Sequence, residues 1–201
     1  MINCYAASLK NVLATGLRPV TQRLAGVLWH GTGEPDAKAI VASQQWKLPN
    51  DWLYVWVGPA IYGFTDLNPS ESATVELRAE NAAREAAEYK TEIGLSSPPK
   101  AVIRAEYEFE RVMDLDAVAN DELVEGIQKA VTSVTHPSGI WRKKSLNPAF
   151  PGKLLHRFQE FLEPEFRPQA YLFKSPPSDY GQSEQSIAIV HLAGVKNYTL
   201  G

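Results

Sequence analysis

The sequence predicts an α+β fold with mainly antiparallel pairing, and three observations support this. Residues 101–110 alternate strictly between apolar and charged side chains, as a strand does when one face is buried and the other meets water. The last two expected strands, 186–192 and 195–200, also have one polar face. Rossmann and P-loop signatures are missing from the sequence, so a parallel nucleotide-binding sheet is not expected.

The first half of the chain is organised around a short apolar run that leads into a histidine. Leu24 to Trp29 is expected to be a buried strand that ends on His30 and breaks into Gly31-Thr32-Gly33. Such a break presents backbone groups and one imidazole to a ligand, although a core histidine that bonds a neighbour gives the same pattern. The other elements expected here are a helix over 2–15 closed by Gly16, a helix from Pro35, a strand over 52–57 and an extended run over 60–65.

The second half opens with the clearest helix in the sequence. Asn68 is a suitable N-cap, Pro69 suits the first helical position and Glu71 completes a capping box. Small residues then recur every three or four positions until about Glu92, so this helix is expected to lie close against a sheet. The remaining expected elements are a strand over 101–110, helices over 121–133 and 154–162, a strand over 170–173, and strands over 186–192 and 195–200.

Composition narrows the class of protein. The chain of 201 residues suits one domain, 1–201, with residues 1–23 as a helical lead-in. The net charge of -3 argues against broad binding of nucleic acid through its phosphates. The single cysteine excludes an intrachain disulfide, and His136, His156 and His191 lack the spacing of metal ligands. No secretory pattern and no bilayer-length apolar run is present, so we expect a soluble, cytoplasmic protein that does not enter membranes. A protein exported by a signal-independent route would show the same features.

Three motifs occur in order along the chain. Trp29-His30-Gly31-Thr32 comes first, Gly58-Pro59-Ala60-Ile61-Tyr62 precedes the capped helix, and Gln182-Ser183-Glu184 opens a strand near the C-terminus. This order resembles the ADP-ribosyltransferase superfamily, in particular the histidine–tyrosine–glutamate branch that includes diphtheria toxin and the poly(ADP-ribose) polymerases. The resemblance implies split antiparallel β-sheets flanked by helices. Two features depart from that branch: Pro59-Ala60 replaces a more usual Lys-Gly or Gly-Gly, and Gln-x-Glu is more typical of the other toxin branch.

The resemblance also implies a role for each matching residue. NAD⁺ would be the substrate, no metal would be needed, and the catalytic residues would be His30, Tyr62 and Glu184. His30 would bond the adenosine ribose with support from Thr32, and the Gly31 backbone would pair with the nicotinamide carboxamide. Tyr62 would stack on the nicotinamide ring, an arrangement that aromatic rings favour.

The glutamate motif would supply the charge and the acceptor contacts. Glu184 would bond the 2′-hydroxyl of the nicotinamide ribose and stabilise the positive charge that develops when nicotinamide leaves. It would also help to deprotonate an acceptor. Gln182 and Tyr180 would recognise that acceptor.

These residues together predict an NAD⁺-dependent ADP-ribosyltransferase with a macromolecular acceptor, and the small chain suggests a toxin with a neutralising partner. The sequence does not identify the acceptor, which is a protein, a nucleic acid or a small molecule. An NAD⁺ glycohydrolase, which uses water as acceptor, would carry the same motifs. A third hypothesis is an inactive member of the fold that binds a nucleotide or a protein through the loops 135–153 and 174–183. A tyrosine placed like Tyr62 is more often a core residue, and a glutamate placed like Glu184 is more often a solvated charge. Only the order of these two residues along the chain with His30 favours an enzyme.

Overall fold

The computed structural model describes residues 3–48, 59–65, 80–88, 92, 94, 98–132, 155–174 and 185–201. Its elements confirm the α+β class. In chain order they are α1 (Asn3–Ala14), β1 (Gln22–Gly33), α2 (Glu34–Ser43), β2 (Ile61–Thr65), α3 (80–88), β3 (Lys100–Asp114), α4 (Asp121–Thr132), β4 (Ala170–Lys174), β5 (Gln185–Ile189) and β6 (Val195–Leu200). Short 3₁₀ turns span Val118–Asn120, Gln159–Phe161, Pro164–Phe166 and Leu192–Gly194.

The strands form one sheet in the order β1-β2-β5-β4-β3-β6. Because β1 also pairs with β3, from Gln22 opposite Val112 to Gly33 opposite Lys100, strands β1 to β5 close into a barrel. The second edge of β3 is shared by β4 and β6. Every described pairing except β3–β4 is antiparallel, which confirms the mainly antiparallel prediction. A division into two sheets is not seen among the described strands and stays an implication of the resemblance.

All five barrel strands send apolar side chains into one inner cluster. Leu28, Tyr107, Leu172 and Ile187 are members and are almost completely buried. The alternation of β3 explains its contribution, because every second residue of a strand points to the same face. The outward residues of β3 instead form ion pairs, such as Glu108 with Arg23 of β1 at 2.5 Å.

A second cluster covers the outer face of β4 and β5. Leu9 of α1, Ile127 of α4 and Phe158 pack there against Tyr171 of β4 and Ala188 of β5. The helical spacing of apolar residues predicted for α1 and α4 is therefore confirmed, since each helix turns its apolar stripe to the sheet. Among the described helices, none is long and apolar enough to cross a membrane.

Several element boundaries differ from the sequence predictions, and β3 extends four residues beyond its expected end, to Asp114. The predicted break after His30 is wrong, because β1 continues to Gly33 by pairing with β3. The expected helix over 154–162 is helical only at 155–158 where described, and then tightens into a 3₁₀ turn. The expected strand over 186–192 stops at Ile189, since a 3₁₀ turn follows. The expected strand over 52–57 and the N-cap at Asn68 lie outside the described residues.

Candidate active site

His30 lies where β1 and β2 stop pairing. Among the described residues, the pairing of these two strands ends at Trp29 opposite Phe64. One residue further along β1, Nδ1 of His30 lies 2.6 Å from the backbone oxygen of Tyr62. A carbonyl oxygen only accepts hydrogen bonds, so Nδ1 carries the proton and donates it. In the neutral imidazole, Nε2 is therefore a hydrogen-bond acceptor.

The ring of His30 packs in an aromatic row with Trp46 and Tyr198. The centroids of His30 and Trp46 are 4.9 Å apart with planes at 85°, and those of Trp46 and Tyr198 are 5.4 Å apart with planes at 77°. Both contacts have the edge-to-face geometry that aromatic quadrupoles favour. His30 is half-buried and Trp46 is 8% exposed, so the row joins the inner cluster to the surface at His30.

Gln44 fixes this row to the last strand. Its Nε2 donates to the backbone oxygen of Tyr198 at 2.9 Å, and its Oε1 accepts from the backbone nitrogen of the same residue at 3.1 Å. Gln44 follows α2 directly and adopts a left-handed conformation with φ of 51°. The turn that ends α2 therefore also places Trp46 beside His30.

Gly31 is a glycine because a helix crosses it. A β-carbon at this position would overlap the backbone oxygen of Ala83 and stand 2.7 Å from the backbone nitrogen of Ala87, both on α3. Both alanines are fully buried. The sequence interpretation explained the glycine by the approach of a ligand, whereas the structure explains it by the approach of α3. Pairing of the Gly31 backbone with a carboxamide stays a prediction.

Thr32 supports the same region from β1. It is 7% exposed, pairs with Ala101 of β3 and lies two residues after His30, on the same face of the strand. This placement agrees with the supporting role that the resemblance implies, and it is equally that of a buried structural threonine. The role in ligand binding stays a prediction.

Tyr62 lies on β2, and its ring belongs to the outer cluster. The rings of Tyr62 and Phe173 are 6.5 Å apart with planes at 76°, and Ala188 of β5 is the cross-strand neighbour of Tyr62. Tyr62 is half-buried. The structure thus joins His30 and Tyr62 through a ring-to-backbone bond, while the Tyr62 ring packs on the outer cluster and the His30 ring contacts Trp46 of the inner one. A ligand that touched both rings would have to lie across the point where β1 and β2 part.

A buried hydroxyl lies near Tyr62. Tyr171 of β4 is fully buried, and its hydroxyl has no hydrogen-bond partner among the described residues. Burial raises the pKa of this hydroxyl above its ordinary value, and the nearby Tyr62 adds to the effect. The hydroxyl therefore stays protonated across the physiological range.

The residues predicted for the acceptor side cannot be located in the same way. Glu184, Gln182 and Tyr180 all lie outside the described residues. The described part of β5 begins at Gln185, which pairs with Lys174, and the strand then runs antiparallel to β2. The glutamate motif therefore leads directly into the strand that neighbours Tyr62.

The described histidines other than His30 do not form a metal site. No group of three or more potential metal-ligating side chains occurs in the described part of the chain. Burial, with a smaller contribution from the charge of Arg157, lowers the pKa of His156 to about 4. Its Nδ1 lies 3.1 Å from the amide nitrogen of Gln159, a contact in which the amide donates to a neutral imidazole. His191 is exposed, and His136 lies outside the described residues.

Two aromatic neighbours were not singled out from the sequence. Trp46 stands alone in the polar run Gln44-Gln45-Trp46-Lys47, and an isolated tryptophan in such a run is the signal that could have drawn attention to it. Phe173 lies in a short apolar strand and has no comparable signal, because its contact with Tyr62 depends on the pairing of β4, β5 and β2.

The chain has little similarity to known proteins. No family model matches the chain, and no curated protein matches it. Among solved structures, the chain is similar to one chain of the M. tuberculosis MbcT-MbcA toxin-antitoxin complex, with 15% sequence identity and a TM-score of 0.38. The similarity covers 98% of this chain and 92% of the other.

Proposed function

We propose that this protein cleaves the nicotinamide–ribose bond of NAD⁺ and transfers ADP-ribose to a macromolecular acceptor. The observation that carries the proposal is the 2.6 Å bond from His30 to the backbone of Tyr62. It joins two motifs that are 32 residues apart in the sequence, and a shared site would require the two motifs to lie close together. The three motifs lie on or lead into β1, β2 and β5, and these strands are neighbours in the sheet. This arrangement is also compatible with one site.

NAD⁺ would lie across the ends of β1 and β2. Nε2 of His30 would accept a hydrogen bond from the adenosine ribose, since Nδ1 already donates to Tyr62. The nicotinamide ring would stack on Tyr62 at the opposite side of the strands, next to Phe173. A dinucleotide suits such a site because its two nucleosides are separate ring systems joined by a flexible pyrophosphate. The parting of β1 and β2 is also where we would place the division between the two sheets of the resembled fold.

The reaction itself would depend on Glu184. The bond between ribose C1′ and the nicotinamide nitrogen breaks, and its electron pair leaves with nicotinamide. The carboxylate of Glu184 would stabilise the positive charge on the ribose and bond its 2′-hydroxyl. An acceptor nucleophile, placed by Gln182 and Tyr180, then forms a bond to C1′ and gives its proton to Glu184 or to water.

One assay separates the three hypotheses. Wild type, Glu184→Gln and the control Glu165→Gln, which changes an exposed glutamate, are incubated with NAD⁺ labelled on its adenylate, with and without cell lysate. We expect nicotinamide release that depends on lysate, labelled macromolecules, and loss of both in Glu184→Gln only. Release without lysate and without label would instead establish the glycohydrolase. No release from wild type under either condition would contradict both enzymes and favour the inactive, ligand-binding member of the fold.

We also propose that the protein is a cytoplasmic toxin with a neutralising partner. This part rests on the resemblance, whose branch includes diphtheria toxin, and on NAD⁺ being directly accessible to a cytoplasmic enzyme. Induced expression in bacteria should stop growth and lower cellular NAD⁺, whereas Glu184→Gln at equal abundance should do neither. Unchanged growth with abundant, active wild-type protein would contradict the toxin role and leave the enzymatic proposal standing.

A further inference from the structure

We infer that the Tyr171 hydroxyl binds the carboxamide of nicotinamide and makes the site selective for this uncharged group. The hydroxyl would donate its hydrogen to the carboxamide oxygen while the pyridine ring stacks on Tyr62. The inference rests on the proposed function for the identity of the ligand. Binding of nicotinamide can nevertheless be measured without any cleavage of NAD⁺.

Tyr62 and Tyr171 stand in one row across three neighbouring strands. Ala188 of β5 pairs with Tyr62 of β2 on one side and with Tyr171 of β4 on the other. Directly opposite residues project from the same face of a sheet, so both tyrosines belong to the outer face. Two strand spacings separate their backbones by about 9.5 Å. Because Ala188 carries only a methyl group, the residue between the two tyrosines does not separate their rings.

The row reaches the surface at Tyr62. Tyr62 is half-buried, whereas Ala188 and Tyr171 are completely buried. The ring of Tyr62 meets that of Phe173 edge to face at 6.5 Å. A pyridine ring that stacked on Tyr62 would replace this aromatic contact with another of the same kind. Its carboxamide would then extend along the row to the Tyr171 hydroxyl.

The Tyr171 hydroxyl is suited to an incoming hydrogen-bond acceptor. It has no partner among the described residues, and a buried polar group without a partner destabilises the fold. Phenylalanine would fill nearly the same volume without this cost, so packing alone does not account for a tyrosine here. An acceptor on a ligand would gain a complete hydrogen bond, because the hydroxyl gives up no other bond to form it.

The surroundings of the hydroxyl decide which acceptor it takes. Tyr171 belongs to the outer cluster, whose buried members include Met113, Phe158 and Leu162. Burial raises the pKa of the hydroxyl, so it remains a neutral donor. A carboxylate brought into this apolar environment would lose its hydration for a single neutral hydrogen bond, which is unfavourable. A carboxamide is uncharged and loses less, so the site should prefer nicotinamide to nicotinate.

The alternative partner for the carboxamide is the Gly31 backbone, which the resemblance implies. Gly31 lies on β1 and Tyr171 on β4, with β2 and β5 between them in the sheet. Three strand spacings amount to about 14 Å, so one carboxamide cannot contact both. Removing the Tyr171 hydroxyl therefore distinguishes the two partners.

The first test compares nicotinamide, nicotinate and pyridine as ligands of the full chain. Isothermal titration calorimetry gives their affinities for wild type, Tyr171→Phe and the control Tyr107→Phe, which removes a buried hydroxyl that bonds Thr65. We expect wild type to bind nicotinamide about tenfold more tightly than pyridine or nicotinate. Tyr171→Phe should weaken nicotinamide about tenfold and leave pyridine unchanged, the loss of roughly one hydrogen bond. Tyr107→Phe should keep the wild-type preference.

The second test reports the hydrogen bond itself. Nicotinamide with ¹³C in its carboxamide is bound at saturating concentration, and isotope-edited infrared spectra locate the carbonyl band. A hydrogen bond to the oxygen lowers the stretching frequency, so the band should lie at higher frequency in Tyr171→Phe than in wild type. A tyrosine that only shaped the site would leave the band in place, which would overturn the inference.

The affinities can also contradict the inference. Equal affinity of wild type and Tyr171→Phe for nicotinamide would overturn it and leave Gly31 as the partner, and an equal loss for nicotinamide and pyridine would overturn it too. Should Tyr171→Phe fail to fold, wild type decides, because nicotinate bound as tightly as nicotinamide excludes the neutral, apolar site. NAD⁺ cleavage is assayed in parallel. Wild type that binds nicotinamide but releases none from NAD⁺ would contradict the proposed function and leave the role of Tyr171 standing.

Discussion

Gly31 of β1 and Ala83 of α3 meet backbone to backbone, with no space for a side chain between them. The contact holds α3 against β1 beside the candidate site, and Ala87 extends it by one helical turn. Close packing of this kind converts a small change in volume into a displacement of whole elements.

We expect Gly31→Ala to destabilise the protein by roughly 3 kcal/mol, because the added methyl group would push α3 away from β1. Urea denaturation followed by circular dichroism measures the change. The matched control is Gly126→Ala in α4, where the new β-carbon meets only the ends of two side chains, Leu17 at 3.3 Å and Val12 at 3.8 Å. That change should stabilise by about 0.5–1 kcal/mol, since alanine favours helix. Equal stabilities for wild type and Gly31→Ala would contradict the packing described for α3.

We expect Tyr171→Phe to leave stability unchanged or to raise it by about 1 kcal/mol, because the lost hydroxyl is buried without a described partner. The control Tyr107→Phe removes a hydroxyl of similar burial that lies 2.8 Å from Oγ1 of Thr65. It should cost about 1–2 kcal/mol. A comparable loss in both variants, measured by thermal and urea denaturation, would mean that the Tyr171 hydroxyl has a partner.

The stability of the protein should fall as the pH decreases from 7 to 4 because of His156. Burial lowers its folded-state pKa to about 4 from an ordinary value of 6.5, so the unfolded chain takes up a proton first in this range. The stabilisation from neutral His156 is complete at pH values above the pKa of the unfolded chain. It is lost as the pH falls to the folded-state pKa, and the total loss is roughly 2–3 kcal/mol. Urea titrations at several pH values should give a flatter profile for His156→Gln, while His191→Gln, which changes an exposed histidine, should follow wild type. Parallel profiles for wild type and His156→Gln would contradict the buried, neutral state of His156.

His30→Asn should separate the two functions of the imidazole. Its amide N–H can replace Nδ1–H as donor to the backbone of Tyr62, whereas it offers nothing in the place of Nε2. We expect the fold to be kept and NAD⁺ binding to weaken about tenfold, the loss of roughly one hydrogen bond. Isothermal titration calorimetry of wild type and variant gives the ratio. Undiminished affinity would exclude Nε2 of His30 from the binding site.

The sequence predicted best those elements whose pattern is local. β3 follows from its alternation alone, and α1 and α4 follow from apolar residues at helical spacing. The extent of β1 could not be predicted in this way, because a Gly-Thr-Gly run signals a break unless a neighbouring strand and a crossing helix stabilise it. Local patterns also could not predict which strands close the barrel.

Only part of the candidate site could be predicted, because local patterns do not show which distant residues come together. The order of the motifs suggested that His30 and Tyr62 belong together, and they do meet, although through the Tyr62 backbone and not through a shared face. Trp46 was missed because its place beside His30 depends on a left-handed turn at Gln44 and on a strand more than 150 residues away. Such contacts carry no signature in the residues themselves.

The closure of the barrel has a consequence for how the chain folds. β2 has β5 as a partner, and Tyr62 and Ala188 are separated by more than 120 residues. During synthesis the N-terminal strands therefore leave the ribosome long before the strand that completes their sheet. Contacts of such high sequence separation slow folding, because the entropy of closing the loop is lost before the pairing energy is gained. Until β5 has been made, the edge of β2 that pairs with it remains open to other strands, including those of a second copy.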